Sequence, residues 1–292
     1  MNYRIPKKIA VINSFAGYGR CSMTEALPII SAMGVCACPV PTSIFSNHTG
    51  FPSHFGLDFT DHMQAYLDQW DRLGVVFDGI YCGFLGKQSQ IPIVADFIRR
   101  QKQKGCSMVL IDPVMGDHGK PYRTVSMEQC RALSDLVKEA DIITPNLTEA
   151  CILTDIPYPG SSMEEAVLAR LTASLHELGP AKIAVTGLMH YDQTGTPDSF
   201  LNYLSQKDTA SGTISSASHY APVTGPSRHG TGDIFASILA ADALLGYDFS
   251  ASVKKAADFI GACVKASEEL QMPEPDGVCF ENFLHMLWEQ DL

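Results

Sequence analysis

Residues 79–112 read GIYCGFLGKQSQIPIVADFIRRQKQKGCSMVLID and contain two short apolar runs separated by a longer segment. The runs at 79–85 and 107–112 predict buried strands. The segment between them, residues 88–104, has the apolar spacing of a helix and ends at Gly105, a typical helix stop. A strand, a helix and a second strand in this order predict a right-handed crossover between parallel strands.

The same alternation continues on both sides of this unit. Further strands are predicted at residues 8–14, 35–45, 141–144 and 182–186. Further helices are predicted at residues 22–33, 58–73, 126–139, 146–153, 161–178, 231–245 and 250–270. Residues 191–220 change to shorter β-like pieces, which predict an antiparallel edge. Since no linker or repeat interrupts the pattern, we expect one domain over residues 1–292, with a mainly parallel sheet covered by helices on both faces.

The composition is that of an ordinary globular chain with an acidic balance. Of 292 residues, 46% are hydrophobic and 18% are charged, and 21 Lys and Arg against 32 Asp and Glu give a formal net charge of -11. An acidic chain without basic runs binds polyanions poorly, so no nucleic-acid partner is expected. No apolar stretch reaches the roughly 18 residues of a membrane-spanning helix, and no secretion signal is recognisable. We therefore expect a cytoplasmic chain without a membrane partner.

The strongest local signal is HGTGDIFASILAADALL, residues 229–245, in which a glycine-rich turn precedes an apolar helix. Gly230 and Gly232 allow a sharp turn and a close approach of the backbone to a ligand. The N–H groups of the first helical turn then offer partial positive charge to phosphate oxygens. Asp233 in that turn can accept a proton from a substrate hydroxyl in phosphoryl transfer, or it can act only as a favourable charge at the helix start.

Other common motifs of catalysis and phosphate binding fail in this sequence. Residues 17–22 (GYGRCS) follow a strand but end in Ser where the dinucleotide-binding motif has Gly, and no acidic residue ends the second strand. The P-loop pattern G-x-x-x-x-G-K-[ST] does not occur. The patterns H-E-x-x-H and G-x-S-x-G are missing as well, which excludes the common zinc-protease and serine-hydrolase signatures.

Two polar pairs follow predicted strands, at the edge where open parallel sheets bind ligands. Asp112 and Asp117 are the two ends of DPVMGD, directly after a strand. Asn146 and Glu149 lie at a helix start and share one helix face. Both pairs suit a divalent cation that bridges nucleotide phosphates. Asn146 and Glu149 also match an N-terminal capping pair, so a purely structural role remains open for them.

Taken in order, these motifs resemble those of the vitamin B6 kinases, the pyridoxal and pyridoxamine kinases of the ribokinase-like superfamily. The resemblance spans nearly the whole chain. It is carried by INS at 12–14, FSNHT at 45–49, DPVMGD at 112–117, TPN at 144–146 together with Glu149, and GTGD at 230–233. The last motif is shared across the superfamily, whereas SNHT at 46–49 is more specific for the vitamin B6 branch.

The resemblance implies a fold, a reaction and a set of ligands. The fold would be a ribokinase-like three-layer α-β-α sandwich with a central, mostly parallel sheet, usually assembled as a homodimer. The enzyme would transfer the γ-phosphoryl group of ATP to the 5′-hydroxymethyl group of pyridoxal, pyridoxine or pyridoxamine, in salvage of pyridoxal 5′-phosphate. The implied cofactors are ATP, Mg²⁺ and a monovalent cation, K⁺ or Na⁺.

The resemblance also implies roles for individual residues. Asp233 would be the catalytic base and contact the substrate, and the N–H groups of Gly230, Thr231, Gly232 and Asp233 would form the anion hole. Further substrate contacts are implied for Ser14, Thr49 and Phe84. Contacts with ATP are implied for Asp112, Thr144, Asn146, Glu149, Thr186, Gly187 and Thr231. Contacts with Mg²⁺ are implied for Asp112, Asp117 and Glu149, the monovalent cation is placed near Thr144 and Thr186, and Tyr122 would be the tyrosine of a lid.

Two other functions remain open from the sequence. A hydroxymethylpyrimidine kinase of thiamine biosynthesis would use the same GTGD end on a ring that also carries a hydroxymethyl group, although the SNHT group argues against it. A catalytically silent protein that binds vitamin B6 would keep the pocket without the reaction. Phe15 stands where many relatives have His, and Phe84 where many have Tyr. These two positions concern which vitamer is preferred.

Overall fold

The computed structural model describes residues 5–123, 125–160 and 164–288. The strands within these ranges are β1 (Lys8–Ala16), β2 (Cys36–Phe45), β3 (Gly56–Asp58), β4 (Gly79–Cys82), β5 (Met108–Ile111), β6 (Gly116–Asp117), β7 (Lys120–Pro121), β8 (Ile142–Ile143), β9 (Lys182–Tyr191), β10 (Pro197–Lys207) and β11 (Ile214–Pro222). The helices are α1 (Met23–Ala32), α2 (Thr60–Arg72), α3 (Gln90–Gln103), α4 (Met127–Val137), α5 (Leu147–Thr154), α6 (Glu165–Glu177), α7 (Thr231–Leu245) and α8 (Phe249–Glu269). Two short 3-10 helices, Glu274–Asp276 and Glu281–Leu287, follow α8.

Nine of the described strands form one sheet in the order β11-β10-β9-β8-β5-β4-β1-β2-β3. Pairing is parallel from β2 through β1, β4, β5 and β8 to β9. The sheet is antiparallel at its edges, where β3 pairs with β2 and the β10–β11 pair follows β9. The predicted mostly parallel sheet is therefore confirmed. β6 and β7 form a separate hairpin that has no counterpart among the predicted elements.

Alternate side chains of the central strands divide between two hydrophobic cores. In β4, Ile80 and Cys82 belong to the core that also contains the buried residues of α2 to α6. Tyr81, between them, points into the other core, which is shared with α1, α7 and α8. Since both faces of the strands are buried, their sequences are apolar throughout rather than alternating. The predicted three-layer α-β-α sandwich is confirmed.

The antiparallel edge differs from its prediction in strand length. β10 and β11 are continuous strands of 11 and 9 residues, rather than a series of shorter pieces. Most residues of β11 are exposed, so the strand lacks the alternation of apolar and polar residues that marks a half-buried strand. A solvated edge strand therefore left little signal in the sequence.

Helix ends follow local capping chemistry. The Ser126 side chain accepts a hydrogen bond from the Gln129 N–H over 3.1 Å and so caps the start of α4. The helix predicted from residue 58 begins only at Thr60, because Asp58 ends β3 and its carboxylate accepts the Thr60 N–H over 3.0 Å. The start of the helix predicted at residue 161 lies outside the described residues. Among the described residues, no helix is both long and apolar enough to cross a bilayer.

Candidate active site

The carboxyl ends of β1, β2, β4, β5 and β8 lie at one edge of the sheet, because these strands run in the same direction. Predicted site residues lie near or after these ends: Ser14 in the last three residues of β1, Thr49 after β2, Phe84 after β4, Asp112 after β5 and Thr144 after β8. The fold thus brings to one edge residues that are far apart in sequence. This is the edge at which open α/β sheets bind ligands.

The first turn of α7 is open to a ligand. Gly230 precedes it with a φ of 87°, in the left-handed region that favours glycine, and no side chain caps the helix within the described structure. Space is open on the side of Gly232 where a side chain would lie. The N–H groups of the turn and the positive end of the helix dipole are therefore left for an anion. The geometry has the form that the anion-hole prediction requires.

Asp233 is held by hydrogen bonds from two distant parts of the chain. The side-chain amide of Asn13 donates to Oδ1 over 3.0 Å, and the Ser22 backbone N–H donates to Oδ2 over 2.8 Å. Burial raises the pKa of Asp233 above its ordinary value, while these two hydrogen bonds favour the ionised form and limit the rise. The result is an oriented carboxylate that accepts a proton more readily than a solvated one.

Asn13 and Ser22 hold Asp233 in place, and neither is among the site residues predicted from the sequence. Oδ1 of Asn13 accepts the backbone N–H groups of Ser14 over 2.8 Å and Phe84 over 3.1 Å, so the amide is fixed on both sides. Asn13 stands in the INS motif, which was the available signal. Ser22 has a φ of 54°, a strained conformation for a residue other than glycine. No sequence signal marks it, since it acts through its backbone N–H.

The predicted substrate residues Ser14 and Phe84 lie beside Asn13. Ser14 is buried, and its hydroxyl donates to Ser22 Oγ over 2.9 Å. Phe84 is half-buried, and its carbonyl accepts the Thr42 hydroxyl over 2.9 Å. Both residues are therefore fixed within the same hydrogen-bonded group as Asp233.

The SNHT loop reaches the start of α7 through its histidine. His48 Nδ1 accepts the Gly50 N–H over 3.1 Å, so Nε2 carries the proton and donates to the Pro275 carbonyl over 2.6 Å. The His48 ring lies 4.6 Å from that of His229, the residue before Gly230. Thr49 is exposed in the turn that follows His48. The loop predicted to bind the substrate therefore adjoins the anion hole.

Gly19, in the turn after β1, allows the close approach of the SNHT loop. It has a φ of 80°, and a side chain at this position would overlap the His48 ring. Phe51 packs against the same ring, with centroids 4.7 Å apart, and would also lie close to a side chain at Gly19. Gly19, which stands in the GYGRCS sequence at 17–22, is therefore required by its packing against His48.

Asp112 and Thr144 meet at the ends of neighbouring strands. The Thr144 hydroxyl donates to Asp112 Oδ1 over 3.0 Å. Burial raises the pKa of Asp112 well above its ordinary value, and the nearby carboxylates of Glu149 and Asp233 raise it further. The carboxyl group of Asp112 therefore lies within electrostatic reach of two other acidic side chains. Such a group gains from a cation among them.

Asn146 and Glu149 form a complete capping box at the start of α5. Asn146 Oδ1 accepts the Glu149 N–H over 3.0 Å, and Glu149 Oε2 accepts the Asn146 N–H over 2.8 Å. Glu149 Oε1 accepts the Met115 N–H over 3.1 Å. Burial raises the pKa of Glu149, and these hydrogen bonds oppose the rise. The structural role that the sequence left open is therefore present.

Thr186 and Gly187 lie next to this capping box. The Thr186 N–H donates to the Pro145 carbonyl over 3.0 Å, and Thr186 forms an isolated parallel bridge with Asn146. Gly187 is exposed and has a φ of 67°. Thr186 and Gly187 therefore lie beside Asn146, another residue predicted to contact ATP.

The β6–β7 hairpin lies over the acidic residues. The Tyr122 N–H donates to the Met115 carbonyl over 2.9 Å. Partial burial raises the pKa of Tyr122, and the nearby charges of Glu149, Asp117 and Asp112 raise it further, while 43% of the residue is exposed. The Asp117 carboxylate is exposed and accepts the His118 N–H over 2.7 Å, so it belongs to the turn of the hairpin. The predicted lid tyrosine is thus at the mouth of the site.

Within the described ranges, no group of three or more His, Cys, Asp or Glu side chains lies close enough together to hold a metal ion alone. Magnesium in kinases commonly takes one or two carboxylates and completes its shell with phosphates and water. The pair of buried carboxylates, Asp112 and Glu149, fits that pattern.

Arg228 does not face the anion hole. It is 6% exposed and donates to Glu268 Oε1 over 2.5 Å and to the carbonyls of Met272, Pro273 and Gly277 over 3.0, 3.3 and 3.1 Å. Its guanidinium therefore anchors the segment before Gly230 to the end of the chain. The guanidinium is therefore neither solvated nor free for a phosphate.

The family profile of the phosphomethylpyrimidine kinases matches residues 27–275. A pyridoxal kinase of Deinococcus radiodurans is 28% identical over 238 residues, which cover 80% of this chain and 78% of the relative. A pyridoxine/pyridoxal/pyridoxamine kinase of Bordetella avium is 27% identical over 279 residues, which cover 92% of this chain and 90% of the relative. The resemblance to vitamin B6 kinases that rests on the motifs is confirmed.

A solved structure agrees with the sequence comparison over almost the whole chain. A Bacteroides thetaiotaomicron protein, provisionally named a phosphomethylpyrimidine kinase and crystallised with pyridoxal, is 34% identical with a TM-score of 0.88, and the match covers 97% of this chain and 96% of that one. The ribokinase-like fold is therefore confirmed. With a profile match over most of its length, this chain belongs to the phosphomethylpyrimidine kinase family.

Proposed function

We propose that the chain phosphorylates the 5′-hydroxymethyl group of a vitamin B6 vitamer with ATP, and that Asp233 is the base. The observation that carries the proposal is the position of Asp233, fixed by Asn13 and the Ser22 N–H at the open first turn of α7. The pyridoxal kinases among its relatives, and the Bacteroides protein crystallised with pyridoxal, support the substrate class.

In this mechanism Asp233 removes the proton of the substrate hydroxyl as the oxygen attacks the γ-phosphorus, and the bond from that phosphorus to the bridging oxygen breaks so that ADP leaves. The ionised form of Asp233 is required, and the hydrogen bonds from Asn13 and Ser22 favour that form. The N–H groups of the first turn of α7 stabilise the negative charge that develops on the phosphoryl oxygens. Base and anion hole belong to the same helical turn, so their relative position is set by helix geometry.

Asp112 and Glu149 would hold Mg²⁺ together with the phosphates of ATP. The metal, when bound, neutralises charge on the β- and γ-phosphates and orients them for in-line transfer. Thr144 and Thr186 adjoin this position and would serve the phosphates and a monovalent cation, K⁺ or Na⁺. Gly187 leaves space beside them for the nucleotide.

The β6–β7 hairpin would cover ATP during transfer. Tyr122 follows the hairpin and feels the charges of Glu149, Asp117 and Asp112, and the Gly119 N–H donates to the Thr148 hydroxyl over 2.8 Å, which anchors the turn of the hairpin on α5. A cover of this kind excludes water, which competes with the substrate hydroxyl for the γ-phosphoryl group.

We also propose that the chain works as a homodimer in the cytoplasm. The edge strand β3 and its approach expose large apolar side chains, with Phe55 72% and Leu57 48% exposed. An exposed apolar edge of this kind commonly pairs with another surface. All nine cysteines are free, which suits a reducing compartment.

The test is an ADP-release assay with Mg²⁺, ATP and potassium, run in parallel on pyridoxal, pyridoxine, pyridoxamine and hydroxymethylpyrimidine. We expect turnover on at least one B6 vitamer and a loss of roughly 100-fold or more in Asp233→Asn, the magnitude of general-base catalysis. The exposed Asp258 of α8 supplies the control Asp258→Asn, which should retain full activity. If Asp233→Asn turned over substrate within a few-fold of the parent rate, the assignment of Asp233 as the base would be refuted. Vitamer binding without ADP formation would support a silent binding protein.

A second candidate function is phosphorylation of the hydroxymethylpyrimidine ring, which the name of the matching family favours. The same assay separates the two, because each ring gives its own kcat/KM. A higher kcat/KM for the pyrimidine would move the chain to thiamine metabolism and leave the roles of Asp233 and the anion hole unchanged.

A further inference from the structure

Glu25 in α1 is a buried carboxyl group without a partner, next to the anion hole. Its relative exposure is 0%, and neither carboxyl oxygen has a hydrogen-bond partner in the described structure. It lies so close to Gly230 that a side chain at that glycine would overlap the carboxyl group. Buried polar groups are almost always paired, so an unpaired carboxyl at this position needs a physical reason. The roles proposed above do not include it.

The charged groups around Glu25 do not neutralise it. Asp233 of α7 and Glu281 of the last 3-10 helix repel a negative charge on Glu25, and Arg20 attracts it. Arg20 is already committed, since it donates to Glu281 over 2.7 Å and to the Asp276 carbonyl over 3.1 Å. The other titratable groups that face Glu25 are Cys21, Tyr81 of β4 and Cys263 of α8, whose pKa values are all raised and which are therefore neutral.

A carboxyl group in such surroundings is stable only when protonated. Burial and the charge of Asp233 raise the pKa of Glu25 well above its ordinary value, and Arg20 only partly opposes the rise. Removing an unpaired carboxylate from water costs far more than removing the neutral acid. Asp233, by contrast, receives two hydrogen bonds that favour its ionised form. The pKa of Asp233 is raised too, but its hydrogen bonds limit the rise, so the two neighbouring carboxyl groups hold their protons with different strength, a pattern found at acid–base sites.

The state of Glu25 matters because it adjoins the helix end that would bind phosphate. The neutral acid leaves the positive potential of the first turn of α7 available to a ligand. An ionised Glu25 would add a negative charge next to the same N–H groups, and it would also favour protonation of Asp233.

We propose that Glu25 is a positioning residue of the phosphoryl-transfer site, which keeps the anion hole competent as a neutral acid and closes it when it ionises at alkaline pH. The inference rests on the proposed function for the role of the hole. In the pH profile of activity, ionisation of Glu25 accounts for the loss at alkaline pH. Protonation of Asp233, which must be ionised to act as the base, accounts for the loss at acid pH.

Thermodynamic linkage gives the proposal a second consequence. If ionised Glu25 weakens phosphate binding, bound phosphate must favour the protonated acid by the same factor. Nucleotide binding at alkaline pH is therefore accompanied by proton uptake. Binding of Mg²⁺ by Asp112 and Glu149 would change the number of bound protons in the opposite direction, because Mg²⁺ binds the ionised carboxylates and so releases protons.

The first experiment compares pH profiles of kcat/KM for ATP in the parent and in Glu25→Gln, which is nearly isosteric and always neutral. The parent should lose about tenfold per pH unit on the alkaline side of the Glu25 ionisation, and Glu25→Gln should remain within about twofold over the same range. The matched control is Glu269→Gln, the same change at an exposed position of α8, which should keep the parent profile. An alkaline limb that persists in Glu25→Gln would overturn the proposal.

The second experiment measures ADP binding without Mg²⁺, by calorimetry in buffers of different ionisation enthalpy, and it needs no vitamer. The parent should take up protons on binding ADP at alkaline pH, and Glu25→Gln should not. Binding without proton uptake by the parent would refute the role of Glu25, even if the Gln variant failed to fold. Proton uptake together with silence toward all B6 vitamers would instead refute the proposed substrate and leave the role of Glu25 standing.

Discussion

Asn13 controls three groups at the substrate end of the site through one side chain. Its amide donates to Asp233, and its carbonyl oxygen accepts the N–H groups of Ser14 and Phe84. A side chain at Gly83, the residue after β4, would overlap the Asn13 amide, so only glycine fits at this position. The orientation of the proposed base and the position of the proposed substrate residues therefore depend on the same amide.

At the residue scale, we predict that Asn13→Ala lowers kcat by roughly 10- to 100-fold, less than the loss of the base itself. The hydrogen bond from Asn13 lowers the pKa of Asp233, so its loss raises that pKa and moves the acid limb of the kcat profile to higher pH. Asn202→Ala, at a buried asparagine of β10, controls for the loss of a buried amide and should leave the profile in place. An unshifted acid limb in Asn13→Ala would contradict the assignment.

At the element scale, two helices begin with the same kind of cap but at different distances from the site. Ser126 caps α4 at a distance from the acidic residues, whereas Asn146 caps α5 next to them. The Asn146 side chain also donates to the Gly116 carbonyl over 2.8 Å and thereby ties the β6–β7 hairpin to α5. Removing each cap in turn therefore distinguishes an effect on helix stability, common to both, from an effect on ATP binding, expected only at Asn146.

We predict that Ser126→Ala and Asn146→Ala each lower the free energy of unfolding by about 1 kcal/mol, the ordinary value of an N-terminal cap. Only Asn146→Ala should also raise KM for ATP, because it frees the hairpin and disturbs Glu149. Denaturant unfolding and steady-state kinetics on both variants check this. An equal change of KM in both variants would show that the effect comes from stability alone.

The sequence predicted the elements that carry a strong periodic or glycine signal and missed those that depend on tertiary contacts. α7 was predicted over its full range because GTGD and a long apolar run define both of its ends. The β6–β7 hairpin was missed, since strands of two residues leave no periodicity. Asn13, Ser22 and Glu25 were missed as site residues because their roles depend on which distant residue each one meets in the folded chain.

At the scale of the whole molecule, residues 268–277 contact both the SNHT loop and the residues before Gly230. Arg228 binds Glu268 and the carbonyls of three residues after α8, and His48 binds the Pro275 carbonyl. The segment that follows α8 is therefore a support for both the SNHT loop and the residues before Gly230.

We predict that Arg228→Met destabilises the protein by about 3 kcal/mol, because Glu268 and the carbonyls lose a buried cationic partner. Below the melting transition, KM for ATP should rise, since the segment before the anion hole is no longer anchored. Arg99→Met, at an exposed ion pair on α3, should change the free energy of unfolding by less than about 1 kcal/mol. Unchanged KM in a folded Arg228→Met protein would show that the anchor serves stability only.

The contact between His48 and Pro275 joins residues 227 positions apart, and that between Asn13 and Asp233 joins residues 220 positions apart. A chain that is still being synthesised can pair the early strands β1, β2 and β4, but the partners of Asn13 and His48 do not yet exist. Domains of this size gain their long-range contacts last. Nascent chains on the ribosome would therefore carry a nearly complete sheet and no working catalytic centre, and the enzyme would become active only after its last helices are released.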